Sequence, residues 1–300
     1  MHTETQTLTH VLLGTADAMG KPPKLSDLYD PTSRKHVLAN TFPKKGALQD
    51  ALSRLEEVFL RYDVSVLRPD IVPNCNQVFA RDLGFVIDDT WVRANIIPHR
   101  AAELRGIKSL QDILPKEKQL VFPKTVHVEG GDVIVHQDYI FVGICTRADY
   151  PDLLTARTNK AAVIALTDAF PHKKVIPLEL IKSNTNPEKN ALHLDCCFQP
   201  LGTQYALACP EGFVDPAAYR WIVNFFGKEH IFEVTALEMS QMMCNVVSIR
   251  PDVVVSDSVF TRLNRWLRQR KITVEEVHFR EIAKQGGLFR CVTMPLTRII

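Results

Sequence analysis

The chain has 300 residues, of which 36 are basic and 34 acidic for a formal net charge of +2, with 46% hydrophobic residues, 13 Gly and 18 Pro. That balance excludes a dedicated polyanion binder, and so few Gly and Pro exclude a collagen-like or low-complexity chain. No apolar run reaches the ~18 residues that cross a bilayer, and the start MHTETQTLTHVLLG lacks the charged and long apolar regions of a secretory leader, so a cytoplasmic protein without a membrane or nucleic-acid partner is expected.

In chain order, an apolar strand at 11–13 leads into a polar loop at 14–44, a helix at 46–61 and a second polar loop at 70–82. A hairpin then pairs 84–87 with 91–94 across Asp88-Asp89-Thr90. After a loop at 106–131 a second pairs 133–135 with 139–142 across His136-Gln137-Asp138. A helical stretch at 150–168 and a β-branched run at 174–176 follow, then a loop at 180–191. A third hairpin joins the 192–198 region to 205–208 over Gly202-Thr203, followed by a helix at 215–227. The fourth joins 245–249 to 253–255 over Arg250-Pro251-Asp252. It is followed by a helix at 257–270, with an apolar stripe at Val259, Leu263, Trp266 and Leu267, and by a run at 272–274. A loop at 280–290 enters a last strand at 291–296.

This order of strand, turn, strand, amphipathic stretch and strand recurs about every fifty residues, and such units bury their faces only by stacking. The incomplete first and last strands would jointly close a ring, which predicts one closed α/β domain over 1–300. The seven cysteines (Cys75, Cys145, Cys196, Cys197, Cys209, Cys244 and Cys291) form no CxxC pair, so free thiols in a reducing compartment are expected.

Four segments at strand edges carry chemistry: Asn76 to Asp82, Glu129-Gly130-Gly131-Asp132, His193 to Phe198, and Gly286 to Cys291. Cys291 reads as a nucleophile where a Gly-containing loop enters a strand; the plainer alternative is a buried core thiol. His193 and Asp195, alternating along an apparent strand, would face one way and offer an acid/base beside an anion. Cys196 and Cys197 point oppositely and lack a second ligand cluster, so no metal is expected. Glu129 and Asp132 read as carboxylates at a strand's mouth or as an ordinary turn. Arg81-Asp82 reads as a surface ion pair or as a source of a site carboxylate. Several carboxylates, an imidazole and a thiol together suit a flat cation with an electrophilic carbon, a guanidinium or amidinium group.

In this order the segments resemble the guanidino-group-modifying enzymes of the pentein superfamily, which includes arginine deiminases, dimethylarginine dimethylaminohydrolases and amidinotransferases. Asn76-x-x-Phe79-x-Arg81-Asp82, Glu129-Gly-Gly-Asp132, His193-x-Asp195-x-x-Phe198 and Gly286-Gly287-x-x-x-Cys291 carry the resemblance, over about residues 70–298. It implies an α/β propeller of five ββαβ-type modules with pseudo-fivefold symmetry and no cofactor. It further implies that Cys291 attacks the guanidino carbon to give a thiouronium intermediate, that His193 protonates the departing amine and then activates the incoming nucleophile, and that Glu129 orients or charges His193. Asp82 and Asp195 would hold the guanidinium nitrogens, with Phe79 at the substrate site and Asp132 supporting the loop; Arg157, and Arg100 as a second candidate, would bind a substrate carboxylate. Leu288 and Arg290 depart from the family spelling, where a glycine and a histidine are usual, and would change the pocket wall. The expected partner is a small guanidino substrate, arginine or a substituted arginine, hydrolysed to a ureido product. An amidinotransferase, a non-catalytic guanidino-binding protein and a homo-oligomer stay open.

Overall fold

The computed structural model describes residues 1–299, whose strands form five three-stranded sheets. β1 (Thr7–Leu13) and β2 (Ser65–Leu67) run parallel, joined by a connection that includes the helix Lys45–Arg61. Four modules follow, each an antiparallel hairpin whose second strand takes a parallel third strand. They are β3 (Gly84–Ile87), β4 (Thr90–Arg93) and β5 (Gln119–Val121); β6 (Val133–His136), β7 (Tyr139–Ile144) and β8 (Lys174–Glu179); β9 (Phe198–Leu201), β10 (Tyr205–Ala208) and β11 (Ile231–Glu233); and β12 (Val247–Arg250), β13 (Val253–Asp257) and β14 (Thr273–Val277). The final strand, β15 (Thr293–Ile299), returns to pair antiparallel with β1, so the two ends of the chain complete the fifth sheet together.

The elements follow from local sequence. The helix Lys45–Arg61 buries Leu48, Leu52, Leu55 and Phe59, a stripe at helical spacing. Asn159 accepts the N–H of Ala162, so the helix expected over 150–168 begins only at Lys160; an N-cap amide is worth about 1 kcal/mol at such a boundary. Val259 lies outside the helix Thr261–Gln269 and is 47% exposed, whereas Leu263 and Leu267 are buried and Trp266 is half-buried against the core. The largest core cluster draws on residues from Leu8 to Val292.

The third hairpin departs from expectation in a way that matters for the site. Its first strand starts at Phe198, and Leu194–Cys196 form a 3-10 turn in which the N–H of Cys196 and Cys197 bond back to the carbonyls of His193 and Leu194. Those donors are spent locally rather than in a ladder, so His193 and Asp195 do not share a strand face. Similar tight turns precede the other first strands: Ala80–Leu83 before β3, Gly130–Asp132 before β6, 241–244 before β12 and 289–292 before β15.

Candidate active site

Those turns bring the chemistry together. Asp82 lies in the turn before β3, Glu129 precedes and Asp132 ends the turn before β6, His193 and Asp195 belong to the turn before β9, and Cys291 stands two residues before β15. Phe79, Asp82, His193 and Cys291 all line one cavity of about 500 Å³. His193 Nε2 is 2.8 Å from Glu129 Oε2, and His193 Nδ1 is 3.6 Å from Asp82 Oδ1. Gly131 permits this approach, since a Cβ there would lie 2.7 Å from His193 Cγ. Gly287 does the same for Phe79, whose Cε1 would be 2.5 Å from an added Cβ. Asp132 Oδ1 accepts the Leu194 N–H at 3.0 Å, tying the turn of one module to that of the next.

The charges in this cavity follow from burial and near neighbours. Burial works against a charged His193, but Asp82, Asp132 and Glu129 outweigh it and raise its pKa to about 9. For Glu129, burial is outweighed by the His193 hydrogen bond and the Arg157 charge, and its pKa falls to about 2. Burial, reinforced by the Asp195 carboxylate, pushes the Cys291 thiol well above its usual range. At neutral pH a charged imidazole and a neutral thiol therefore share the cavity. Among the described residues, Asp82 Oδ1 is a buried acceptor with no hydrogen-bond donor. Arg81 and Asp82 are both buried, with separate partners, so they are not a surface pair: Arg81 Nη1 is 3.7 Å from Glu4 Oε1.

Several expected roles meet competing partners. Asp195 does not line the cavity: its Oδ2 accepts from Arg290 Nη1 at 2.8 Å and sits 3.7 Å from Cys291 Sγ, so the cation already beside it is the protein's own. Arg290 and Leu288 are buried behind the cavity rather than in its wall, Arg290 being held by Glu4 through Nε and Nη2 at 2.9 and 2.7 Å. Arg100 donates to Asp82 Oδ2 and to both oxygens of Glu103 at 2.8 and 2.7 Å. Arg157 donates to the carbonyls of Leu154, Ala156 and Tyr29, and its Nε is 3.6 Å from Glu129 Oε2. A substrate carboxylate at either guanidinium would have to displace these acceptors.

A family model described as N,N dimethylarginine dimethylhydrolase, eukaryotic, matches residues 60–298. The chain belongs to this family of guanidino-modifying penteins. Protein YkgA of Bacillus subtilis (strain 168) is 30% identical over 302 residues, spanning 99% of this chain and 94% of its own. The bifunctional arginine dihydrolase/ornithine cyclodeaminase ArgZ of Synechocystis is 30% identical over 127 residues, 42% of this chain and 17% of its own. In three dimensions the N-terminal domain of ArgZ, a cyanobacterial arginine dihydrolase, matches 96% of this chain and 98% of its own with a TM-score of 0.78 at 19% identity. The amidinotransferase SxtG from Microseira wollei matches 99% and 96% with a TM-score of 0.75 at 16% identity. At such identities the structural likeness establishes the pentein fold.

Three groups of this pentein's site lay outside the sequence reading. Glu103 clamps Arg100, Glu4 clamps Arg290, and Asn245, fully buried before β12, donates from Nδ2 to Cys291 Sγ at 3.1 Å. Cys244-Asn245-Val246-Val247 carries no spacing that marks the amide. Asp82, Glu129 and His193 also bring three potential ligand atoms within 4.8 Å of one another. A metal there would have to displace the proton that the same carboxylates keep on His193 up to about pH 9.

Proposed function

We propose that this pentein is a cysteine-dependent hydrolase of the C–N bond of a guanidino compound, arginine or an N-substituted arginine. The observation that carries the reading is the single cavity lined by Cys291, His193 and Asp82, which sets a thiol, an imidazole and a carboxylate around one small space. A volume of about 500 Å³ suits a small molecule of this class. Support also comes from the matched family, described as a dimethylhydrolase, and from ArgZ, described as an arginine dihydrolase.

The electrostatics suit a cationic substrate. A thiol pushed upward by burial and by Asp195 is a poor nucleophile, and a guanidinium beside it favours the thiolate by direct attraction, the thiol proton passing to solvent as the substrate enters. Sγ would then form a bond to the guanidino carbon. The departing nitrogen would take a proton from His193, which Glu129 and Asp82 keep charged, and leave as ammonia or an alkylamine. The cationic thiouronium would remain on Cys291. Water, losing a proton to the now neutral His193, would add to the carbon; as the C–S bond breaks, the remaining hydroxyl proton would pass to the departing sulfur, restoring the neutral thiol and leaving a ureido product.

Transfer to an amine instead of water is favoured by the fold likeness to SxtG and to the inosamine-phosphate amidinotransferase StrB1 of Streptomyces griseus, and by the Gly-Gly-x-x-x-Cys spelling. Mass spectrometry after brief incubation with arginine and its N-methylated forms separates the readings. Hydrolysis predicts a ureido product without an added amine and an adduct on Cys291 that Cys291→Ser abolishes. Product only when an amine is supplied would establish transfer, and tight binding without adduct or product would make the chain a binder.

A further inference from the structure

We propose that Asn245 is the fourth module's contribution to the active site, gripping the Cys291 loop and donating an N–H that stabilises the thiolate. The inference rests on the reading of Cys291 as the nucleophile. The five turns that precede β3, β6, β9, β12 and β15 are equivalent positions in the repeat. Four of them supply Asp82, Glu129 with Asp132, His193 with Asp195, and Cys291; the turn before β12 was without a part. Asn245 directly follows that turn, two residues before β12, at the offset that Asp82 holds before β3 and Cys291 before β15.

Four successive backbone N–H groups of the nucleophile loop end on this one residue. Leu288 and Cys291 donate to Asn245 Oδ1, each at 3.1 Å, while Phe289 and Arg290 donate to its backbone carbonyl at 3.1 and 3.4 Å. Because the side-chain oxygen is fixed by two donors, the amide cannot be flipped without setting N–H against N–H. The nitrogen must therefore face the other way, where it meets Cys291 Sγ at 3.1 Å and the Asp195 carbonyl at 3.3 Å. Both are acceptors. A buried N–H aimed at sulfur is worth more to the anion than to the thiol, because charge-assisted hydrogen bonds are roughly twice as strong as neutral ones. It opposes the burial and the Asp195 charge that hold the thiol protonated.

The test is the pH dependence with which chloroacetamidine, a cationic alkylating probe, labels Cys291, located by peptide mass spectrometry. Asn245→Asp keeps an oxygen for the two loop N–H groups and replaces the nitrogen at sulfur by a second oxygen. Asn245→Ala removes both. In the folded variants the labelling midpoint should rise by a pH unit or more, a tenfold or greater loss of rate at neutral pH. Turnover of the guanidino substrate should fall with it. A purely structural role would change the rate of Asn245→Ala evenly without moving its midpoint, whereas the carboxylate of Asn245→Asp raises the midpoint by its charge as well. An unmoved midpoint in folded Asn245→Ala, or in Asn245→Asp with its thermal melt intact, overturns the proposal. Absence of labelling at Cys291 in the parent protein overturns the nucleophile reading and this inference with it.

Discussion

His193, 2% exposed, is held from both sides, by Glu129 on Nε2 and by Asp82 near Nδ1. Its raised pKa of about 9 follows from these acids overcoming burial, so the sign of a mutational effect is fixed. Removing the Glu129 charge takes away a raising influence and leaves the lowering one intact. In Glu129→Gln the His193 titration, followed by the ring-proton NMR signals, should move well below 9 toward the ordinary ~6.5. The basic limb of the pH–rate profile should move to lower pH in step, because the proposed general acid then loses its proton earlier, and kcat at neutral pH should fall by roughly 10²–10⁴. A titration that stays near 9 would show that Asp82 and Asp132 alone hold the proton. The pair His193 and Glu129 was readable because each stands in a recognisable short segment. Asn245 was not, because an isolated asparagine before a strand looks like any turn residue until the loop that it grips, some forty residues later, is brought beside it.

At the scale of elements, the four hairpins and the third strands β8 and β14 were legible from apolar alternation, turn residues and β-branched runs, and β1 pairing with β15 was legible from two strands lacking partners. The three-residue strands β5 and β11 were not: β5 lies inside the stretch 106–131 expected as a loop, and three residues are too few to show a period. The turns were not. Periodicity carried on through 192–198 and read as strand, whereas the local hydrogen bonds of Leu194–Cys196 and the Asp132 carboxylate on Leu194 N–H bend the chain and aim His193 at Glu129. Such a turn depends on a contact 62 residues away, which no local pattern encodes. Gly131 tests how tightly these turns are packed. In Gly131→Ala the new methyl would fall 2.7 Å from His193 Cγ and 2.8 Å from Asp82 Oδ1, so the ring and the carboxylate must separate. Overpacking of this kind costs about 1–3 kcal/mol. The far-UV circular dichroism should be unchanged, the melting temperature should fall by several degrees, and kcat should drop far more than the change in stability implies. Retained kcat would mean that the imidazole geometry is not demanded by the chemistry.

Across the whole molecule, the modules meet through arginines rather than through apolar contact alone. Arg290 bonds Glu4 near the N-terminus, the carbonyls of Gly131 and Val133 in the second module and Asp195 in the third. Arg81 of the first module donates to the Arg290 carbonyl, and Arg298 reaches the Ser248 carbonyl of the fourth. Glu4 is the carboxylate that joins this cluster to the N-terminal segment, and burial, which would raise its pKa, is outweighed by Arg290 and Arg81, which bring it to about 2 from a reference of 4.5. A folded pKa below the unfolded one gives stability that is present above about 4.5 and is lost as pH falls toward 2. The shift corresponds to about 3 kcal/mol, of the order found when a buried ion pair loses one partner. Glu4→Gln imitates the protonated acid, so urea unfolding at neutral pH should find it less stable than the parent by about that much. The gap should stay constant down to about pH 4.5 and then close as the parent's own Glu4 takes up its proton. A gap that does not change with pH would mean that Glu4 contributes by shape and hydrogen bonding alone. The termini would then be held by the β1–β15 ladder without help from the charge beneath it.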